Sequence, residues 1–198
     1  SDTEVVLEMY KKYGSDCLKY FNGMFAFVIY NKTSEDVFVA RDRLGIKPLF
    51  ISQNNSEMII ASEIAPILNV FPSEIDEFGL RQYRKLRMTI KGYTVYENIK
   101  TFPPGHYYLN GKIIQYWDLE MEQKDPPTDE ELAFLISDAV ALRKRSDVPV
   151  GSYLSGGLDS TILTYLLKPN DTWTVGFELL NEFGWSDIAD SNIQSDHH

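Results

Sequence analysis

Residues 152 to 160, Ser-Tyr-Leu-Ser-Gly-Gly-Leu-Asp-Ser, carry the densest chemistry in the chain. An apolar run leads into them and an apolar helical run leads out, so the loop leaves a strand and enters a helix at its positive end. Backbone N–H groups of Ser155 to Leu158 can then face outward and form an anion cradle. Gly156 and Gly157 permit positive φ and close approach of an oxyanion to bare backbone, and the hydroxyls of Ser155 and Ser160 add donors. Asp159 is the odd member. A carboxylate beside a phosphate is unfavourable unless a cation lies between them, which points to Mg2+ bridging Asp159 and a polyphosphate. The same letters also fit a tight Gly-Gly turn with an acid that complements the helix dipole. A Walker loop is excluded because no Lys follows the glycines. A nucleophile elbow is excluded because Tyr153 stands where glycine is required, two residues before Ser155.

The elements that must position this loop are a strand from Val148 to Leu154, a helix from Asp159 to Leu167 stopped by Pro169, and a strand from Trp173 to Phe177. That is a βαβ unit and the start of a parallel sheet. Before it, Thr128 and Glu131 predict a capping box for a helix ending near Arg145, with Leu132, Leu135, Ile136, Ala139 and Val140 on its apolar face. Further upstream, Ser1 and Glu4 predict a capped opening helix that runs to Gly14, and Cys17 to Phe21 a second short helix. The period then changes: 24–30, 36–41, 49–52 and 58–62 read as a meander of short strands. A helical turn at 63–68 and a helix at 76–86 follow, and Asn110-Gly111 between two apolar runs predicts a type I′ hairpin. Residues 1–119 thus read as one α+β unit on an antiparallel sheet. Residues 120–128, with Pro126 and Pro127, read as a linker, and 128–198 as the start of an α/β parallel-sheet domain. This last part is too short to cover both faces of a parallel sheet and reads as truncated.

Composition narrows the classes. A chain of 198 residues with 43% hydrophobic content can build a packed core, and its formal charge of -10 argues against a nucleic-acid partner and an anionic membrane surface. Cys17, the single cysteine, cannot form an internal disulfide; it reads as a buried structural thiol and fits a reducing compartment, with the cytoplasm as the default. The opening residues lack a basic n-region, and the apolar run at 24–30 is too short to span a bilayer. His197 and His198 are adjacent and cannot share a helix face, so a strand or a tag remnant is favoured over a metal site. His106, in a Pro-Gly turn, reads as structural. The basic clusters at 81–87 and 143–145 read as a solvated helix face and a helix C-terminus.

The S-G-G-x-D-S loop resembles the pyrophosphate-binding loop of the N-type ATP pyrophosphatases, which cleave ATP between the α and β phosphates and adenylate a carboxylate or carbonyl. The segments FNGMFAFVIYN, ARDRLGIKPLF, ASEI, FPPGHYY and SDVPVGSYLSGGLDS follow one another in the order seen in glutamine-dependent asparagine synthetases and their class II amidotransferase relatives. This resemblance spans nearly the whole chain. It implies the C-terminal part of an N-terminal-nucleophile glutaminase domain, an αββα sandwich, at 1–119, and the N-terminal part of an ATP pyrophosphatase domain at 128–198. By the same resemblance Asp2 binds glutamine, Leu154, Ser155, Gly156, Gly157, Asp159, Ser160 and Val175 bind ATP, and Asp159 holds Mg2+. From pattern alone Asp2 would be a helix-start acid, and Leu154 and Val175 sheet core. The family's nucleophile is an amino-terminal cysteine, whereas this chain begins at Ser1, so no catalytic glutaminase residue is present and the chain reads as a middle segment of a larger enzyme.

The implied reaction is glutamine-dependent asparagine synthesis. ATP adenylates the aspartate side chain, ammonia from glutamine is passed internally to it, and AMP and pyrophosphate leave. The tail from Gly176 to His198 follows the family loosely, which leaves open a relative acting on another carboxylate. A non-catalytic remnant or scaffold is the reading from a different class. The implied partners are small molecules: glutamine, ATP, and aspartate or another carboxylate. Nucleic acid and membrane are not among them, and a homodimer is allowed without being specified.

Overall fold

The structure, a computed structural model, describes residues 1–54, 57–121, 125–177 and 181–198. It divides into two units, Ser1–Met121 and Glu122–His198. In the first, helix α1 (Asp2–Tyr13) carries Asp2 and Glu4 in its first turn and Lys11 and Lys12 in its last, each complementing the helix dipole. The expected Ser1 cap does not form. Its side chain makes no cap hydrogen bond, and the Glu4 carboxylate lies 3.5 Å from the Ser1 amino group instead. Gly14, at φ 57°, turns the chain out of α1. A 3-10 helix, Gly14–Tyr20, takes the place of the short helix expected from Cys17 to Phe21, and Cys17 and Leu18 both face the core from it.

The strands that follow are β1 (Ala26–Tyr30), β2 (Val37–Arg41), β3 (Phe50–Gln53), β4 (Met58–Ala61), β5 (Lys100–Thr101), β6 (His106–Leu109) and β7 (Lys112–Gln115). They do not form the single meander the pattern predicts. Among the described residues they form two antiparallel sheets, ordered β1-β2-β6-β7 and β4-β3-β5. The cause lies in β2 and the loop after it. Phe38 and Ala40 pack with Cys17, Leu18 and Tyr10, while Val39, pointing the other way, packs with Leu49 and Phe102. A strand buried on both faces needs a layer on each side. The loop supplies the turn between sheets: the Asp42 carboxylate, 1% exposed, accepts the amides of Phe25 (3.2 Å), Ile46 (2.9 Å) and Lys47 (3.0 Å). Beside it the Arg41 guanidinium donates to the carbonyls of Gly45 (2.7 Å), Lys47 (2.7 Å) and Phe102 (2.5 Å). Burial lowers the pKa of Arg41 and the charge of Asp42 opposes that shift, yet arginine stays protonated throughout the working range.

Helix α2 (Ile64–Val70) packs on β3 and β4. Helix α3 (Glu77–Leu86) is capped by Asp76, which accepts from the amides of Phe78 and Gly79 at 2.8 and 3.0 Å. Asn110 and Gly111 sit at φ 49° and 78° between Leu109 and Lys112, the two-residue turn their sequence predicts.

In the second unit, α4 (Asp129–Arg143) begins in the expected capping box, with the Glu131 amide donating to Thr128 Oγ1 at 3.2 Å and the Thr128 amide to Glu131 at 2.9 Å. Of its apolar face only Val140 is buried. The strands around the glycine loop are shorter than expected: β8 (Ser152–Tyr153) and β9 (Asp171–Trp173) flank α5 (Leu158–Leu167) and pair in parallel. Pro149 lacks a donor for the ladder, and a Cβ at Gly151 would stand 2.1 Å from the Trp173 ring that crosses it. One element of the tail was not anticipated, α6 (Phe183–Ile193); β10 (Asp196–His197) is the strand favoured for the histidine pair, and it completes a parallel sheet ordered β10-β9-β8. Residues 122–124 of the expected linker lie outside the described residues. Among the described residues no helix is long and apolar enough to cross a membrane.

Candidate functional site

The glycine loop joins the end of β8 to the first turn of α5. Gly157 is the N-cap of α5, with extended backbone (φ −72°, ψ 158°) and no side chain to satisfy the helix's first amides. A Cβ added there would meet nothing closer than Ser155 Oγ at 3.3 Å. Gly156 is different: its φ is 72°, and an added Cβ would stand 2.5 Å from Trp185 Cβ and 2.8 Å from the Ser186 amide nitrogen. One glycine is demanded by α6 behind the loop, and the other leaves the front open.

The serines bind one another. Ser155 and Ser160 hydroxyls are 2.9 Å apart, and Ser160 Oγ donates to the Gly157 carbonyl at 3.1 Å. The amide of Ser155 donates to Ser160 Oγ and that of Gly157 to Ser155 Oγ, both at 3.3 Å. The expectation that all four amides from Ser155 to Leu158 face outward is thus corrected for two of them. An arriving anion would exchange these internal bonds for its own, while Leu158 and Asp159, in the first turn of α5, have no acceptor within the helix. Asp159 is exposed beside them.

Leu154 and Val175 part company. Leu154 is 1% exposed, its amide donating to Trp173 O at 2.8 Å and its carbonyl accepting from the Thr174 hydroxyl. Pattern reading it as sheet core is right. Val175, read the same way, is 70% exposed because β9 has ended at Trp173. Val175 lines a cavity of about 530 Å³ with Tyr153, Trp173 and His198, and Leu154 is not on its wall. The Trp173 and His198 rings are stacked, centroids 5.6 Å apart.

In the first unit, Asp2 is exposed at the start of α1 and lines a cavity of about 630 Å³ with Thr3, Met24, Phe27, Lys47 and Ser62. Asp2 and Lys47 bring a carboxylate and an ammonium to the lining of one cavity, the two charges complementary to those of a free amino acid. Cys17 is buried, its thiol pushed from 9.0 to about 11 by burial and by the nearby charge of Asp16, so it is no nucleophile. His106 contacts the Pro104 carbonyl at 2.7 Å, and Arg143 donates to Ala139 O at 3.0 Å near the end of α4, both structural roles. The residues that back the loop, Trp185 and Ser186, were not found from the sequence, although Trp185, Ile188, Ala189 and Ile193 recur at helical spacing and could have announced α6.

The chain matches the family described as Glutamine amidotransferase domain over residues 1–118 and the family described as Asparagine synthase over residues 131–198. A putative glutamine-hydrolysing asparagine synthetase of Methanocaldococcus jannaschii is 35% identical across 100% of this chain and 42% of its own length. The chain belongs to the glutamine-hydrolysing asparagine synthetase family. A Bacillus subtilis asparagine synthetase is 37% identical over 83% of the chain and 28% of itself. The amidase chry2 of Gibberella zeae is 34% identical over 85% of the chain and 27% of itself. The chain therefore spans less than half the length of these relatives.

Proposed function

We propose that the protein carrying this chain is a cytoplasmic, ATP-dependent carbon–nitrogen ligase that makes asparagine. It adenylates the side-chain carboxylate of aspartate and amidates it with ammonia released from glutamine and passed internally, giving AMP and pyrophosphate. The observation that carries the reading is Gly157: an N-cap without a side chain, open in front, on a loop whose other glycine is fixed from behind. Ser155, Gly156, Gly157 and Ser160 hold the pyrophosphate portion of ATP, and Val175, with the backbone of Leu154, borders the adenine. Their contribution is electrostatic, donors aimed at oxygens whose charge grows as pyrophosphate leaves.

Asp159 fits a Mg2+ ligand. Among the described residues no group of three or more His, Cys, Asp or Glu is gathered, so a cation beside this one carboxylate takes its remaining oxygens from phosphate and water, as Mg2+ habitually does. Bound there, it supplies charge neutralisation for the leaving pyrophosphate. The first unit is the C-terminal part of an αββα glutaminase domain, and Asp2 receives the ammonium of glutamine. The second unit is the start of the synthetase domain.

A second reading concerns the acceptor: the chain is as similar to a relative named an amidase as to those named asparagine synthetases, 34% against 35% and 37%. ATP:pyrophosphate exchange tests both, run with aspartate and a panel of other carboxylates and with Asp159→Asn as blank. Exchange that requires aspartate is the expected result. Exchange only with another acid moves the enzyme to an amidotransferase with a different acceptor, and none with any acid would favour a non-catalytic scaffold.

A further inference from the structure

In the first unit, the turn from Ile90 to Tyr93 places a lysine where the backbone disfavours one. The Tyr93 amide donates to the Ile90 carbonyl at 3.1 Å, and the two residues between, Lys91 and Gly92, stand at φ 54° and 75°. Glycine and asparagine adopt that left-handed backbone readily, whereas a long side chain is strained there. The surroundings hold the turn in place. The Ile90 amide donates to Gln82 Oε1 at 2.8 Å and the Thr101 amide to the Gly92 carbonyl at 2.9 Å. Just beyond, the hydroxyl of Thr94, 4% exposed, donates to the Ile99 carbonyl at 2.7 Å. An outlier kept in so well determined a loop raises the question of what its side chain serves.

Lys91 lines a cavity of about 710 Å³ with Lys100 of β5, Glu97, Asn98, Ile51 of β3 and Ile113 of β7. Its three charged side chains are exposed. Two ammonium groups and a carboxylate thus share one concave wall, yet among the described residues none of the three enters an ion pair. Lys100 is steadied from another direction: its ammonium lies 4.4 Å from the centre of the Tyr93 ring, which Phe78 meets edge-on at 5.1 Å. The segment carrying the carboxylate is tied down as well. The Glu97 amide donates to the Glu74 carbonyl at 3.1 Å and the Asn98 amide to Ser73 Oγ at 3.2 Å. Ionic groups left unpaired on a fixed backbone, around a concave space, are the arrangement of a site whose counter-charges come from outside.

We propose that this cavity binds a free amino dicarboxylic acid, L-glutamate or L-aspartate. The wall offers two positive charges and one negative. Such an acid at neutral pH carries two carboxylates and one ammonium, the complementary set. Lys91 and Lys100 take the carboxylates, Glu97 takes the ammonium, and Ile51 and Ile113 meet the methylene carbons. A dicarboxylate without the ammonium would leave Glu97 facing negative charge, and a neutral amino acid such as glutamine would leave one lysine unanswered. The cavity shares no residue with the one lined by Asp2, so it is a second amino-acid site in the same unit. Both acids belong to the reaction proposed above, aspartate as its acceptor and glutamate as what remains of glutamine, but the charge argument stands without that reading.

The test is calorimetric titration of the chain, without ATP, with L-glutamate, L-aspartate, glutarate and L-glutamine, while the backbone amide shifts of Gly92, Asn98 and Thr101 report where the ligand sits. An acidic amino acid binds and moves these three amides, and the tighter of the two names the source. Lys91→Asn, which suits the left-handed backbone, and Lys100→Gln each weaken binding about tenfold, the loss of one charge-assisted hydrogen bond, and leave thermal unfolding unchanged. Glu97→Gln removes the preference for glutamate over glutarate. Added salt weakens binding, since the contacts are ionic and open to water. Three results would overturn the proposal: no movement of these amides with either acid at about 10 mM, glutarate binding the unaltered chain as tightly as glutamate, or full affinity in both lysine variants. Binding that disappears in Asp2→Asn would place the acid in the other cavity and overturn it too. ATP:pyrophosphate exchange reads the proposed function separately, so its failure leaves this site standing.

Discussion

Gly156 and Trp185 meet with no room for a methyl group between them: a Cβ on the glycine would stand 2.5 Å from the Cβ of the tryptophan. The backbone there is also left-handed, at φ 72°. One residue on, Gly157 has neither constraint. Two adjacent glycines of one motif are therefore glycine for different reasons, and substitution can tell them apart.

Gly156→Ala should cost about 2 to 4 kcal/mol, since it combines a disfavoured φ with overpacking against α6. Gly157→Ala should change stability by about 1 kcal/mol or less while weakening ATP binding, because its methyl would occupy the approach to the helix N-terminus. Thermal unfolding and ATP titration of both variants measure this. Equal destabilisation would make both glycines structural and withdraw the support for an anion cradle.

Ser160→Ala tests the hydroxyl latch. Its oxygen accepts from the Ser155 amide and pairs with the Ser155 hydroxyl, but the loop is exposed enough that the loss should cost under about 1 kcal/mol. The affinity for ATP should fall about tenfold if the same hydroxyl serves the phosphate, one charge-assisted hydrogen bond's worth. Calorimetric titration would show it; unchanged affinity would confine Ser160 to the empty loop.

Asp42 makes a prediction about the first unit. Its carboxylate satisfies three amides at 1% exposure, so Asp42→Ala leaves them stranded and should cost about 3 kcal/mol or more. Asp42→Asn keeps one acceptor oxygen and should cost about half as much. Oδ2 serves both Phe25 and Lys47, while Oδ1 serves Ile46 alone, so the amide group can replace the carboxylate with one mismatch. Urea midpoints rank the variants, and an inverted order would mean that charge, not acceptor geometry, holds the loop.

What the sequence disclosed was local. The Thr128–Glu131 cap, the Asn110–Gly111 turn and the strand-loop-helix around Gly156 each depend on residues a few positions apart. What it concealed was set by distant partners. Arg41 reaches the Phe102 carbonyl, 61 residues away, and nothing in the letters of β2 says that its two buried faces meet a helix and a second sheet rather than a third strand. Val175 shows the same limit on a smaller scale: its alternation reads as inward-facing, but the pairing that would enforce alternation stops at Trp173. Of the candidate site, the glycines, serines and Asp159 were legible because a strand–glycine turn–helix is a local device. Trp185, which backs Gly156 from α6, meets it only through the tertiary structure.

The two strongly shifted groups of the first unit fix its behaviour in alkali. Burial, with Asp16 adding to it, pushes the Cys17 thiol from 9.0 to about 11. Burial, with Asp42 adding to it and Arg43 opposing, pushes the Tyr116 hydroxyl from 10.0 to about 12, and that hydroxyl donates to the Arg41 carbonyl at 2.9 Å. In each case the unfolded chain gives up its proton first, so above the unfolded value it binds fewer protons than the folded chain and stability falls as pH rises. The stabilisation is whole below the ordinary thiol value, is lost from Cys17 first and from Tyr116 next, and the decline ends once the folded groups have ionised. Urea unfolding across that window should show the slope, with a contribution from Cys17 on the order of 2 kcal/mol. Cys17→Ala should remove the earlier part of the decline and keep the later part. The folded chain should resist thiol alkylation at neutral pH and react once unfolded; prompt labelling of the folded chain would show that Cys17 is not the sealed thiol its position beneath Phe38 requires.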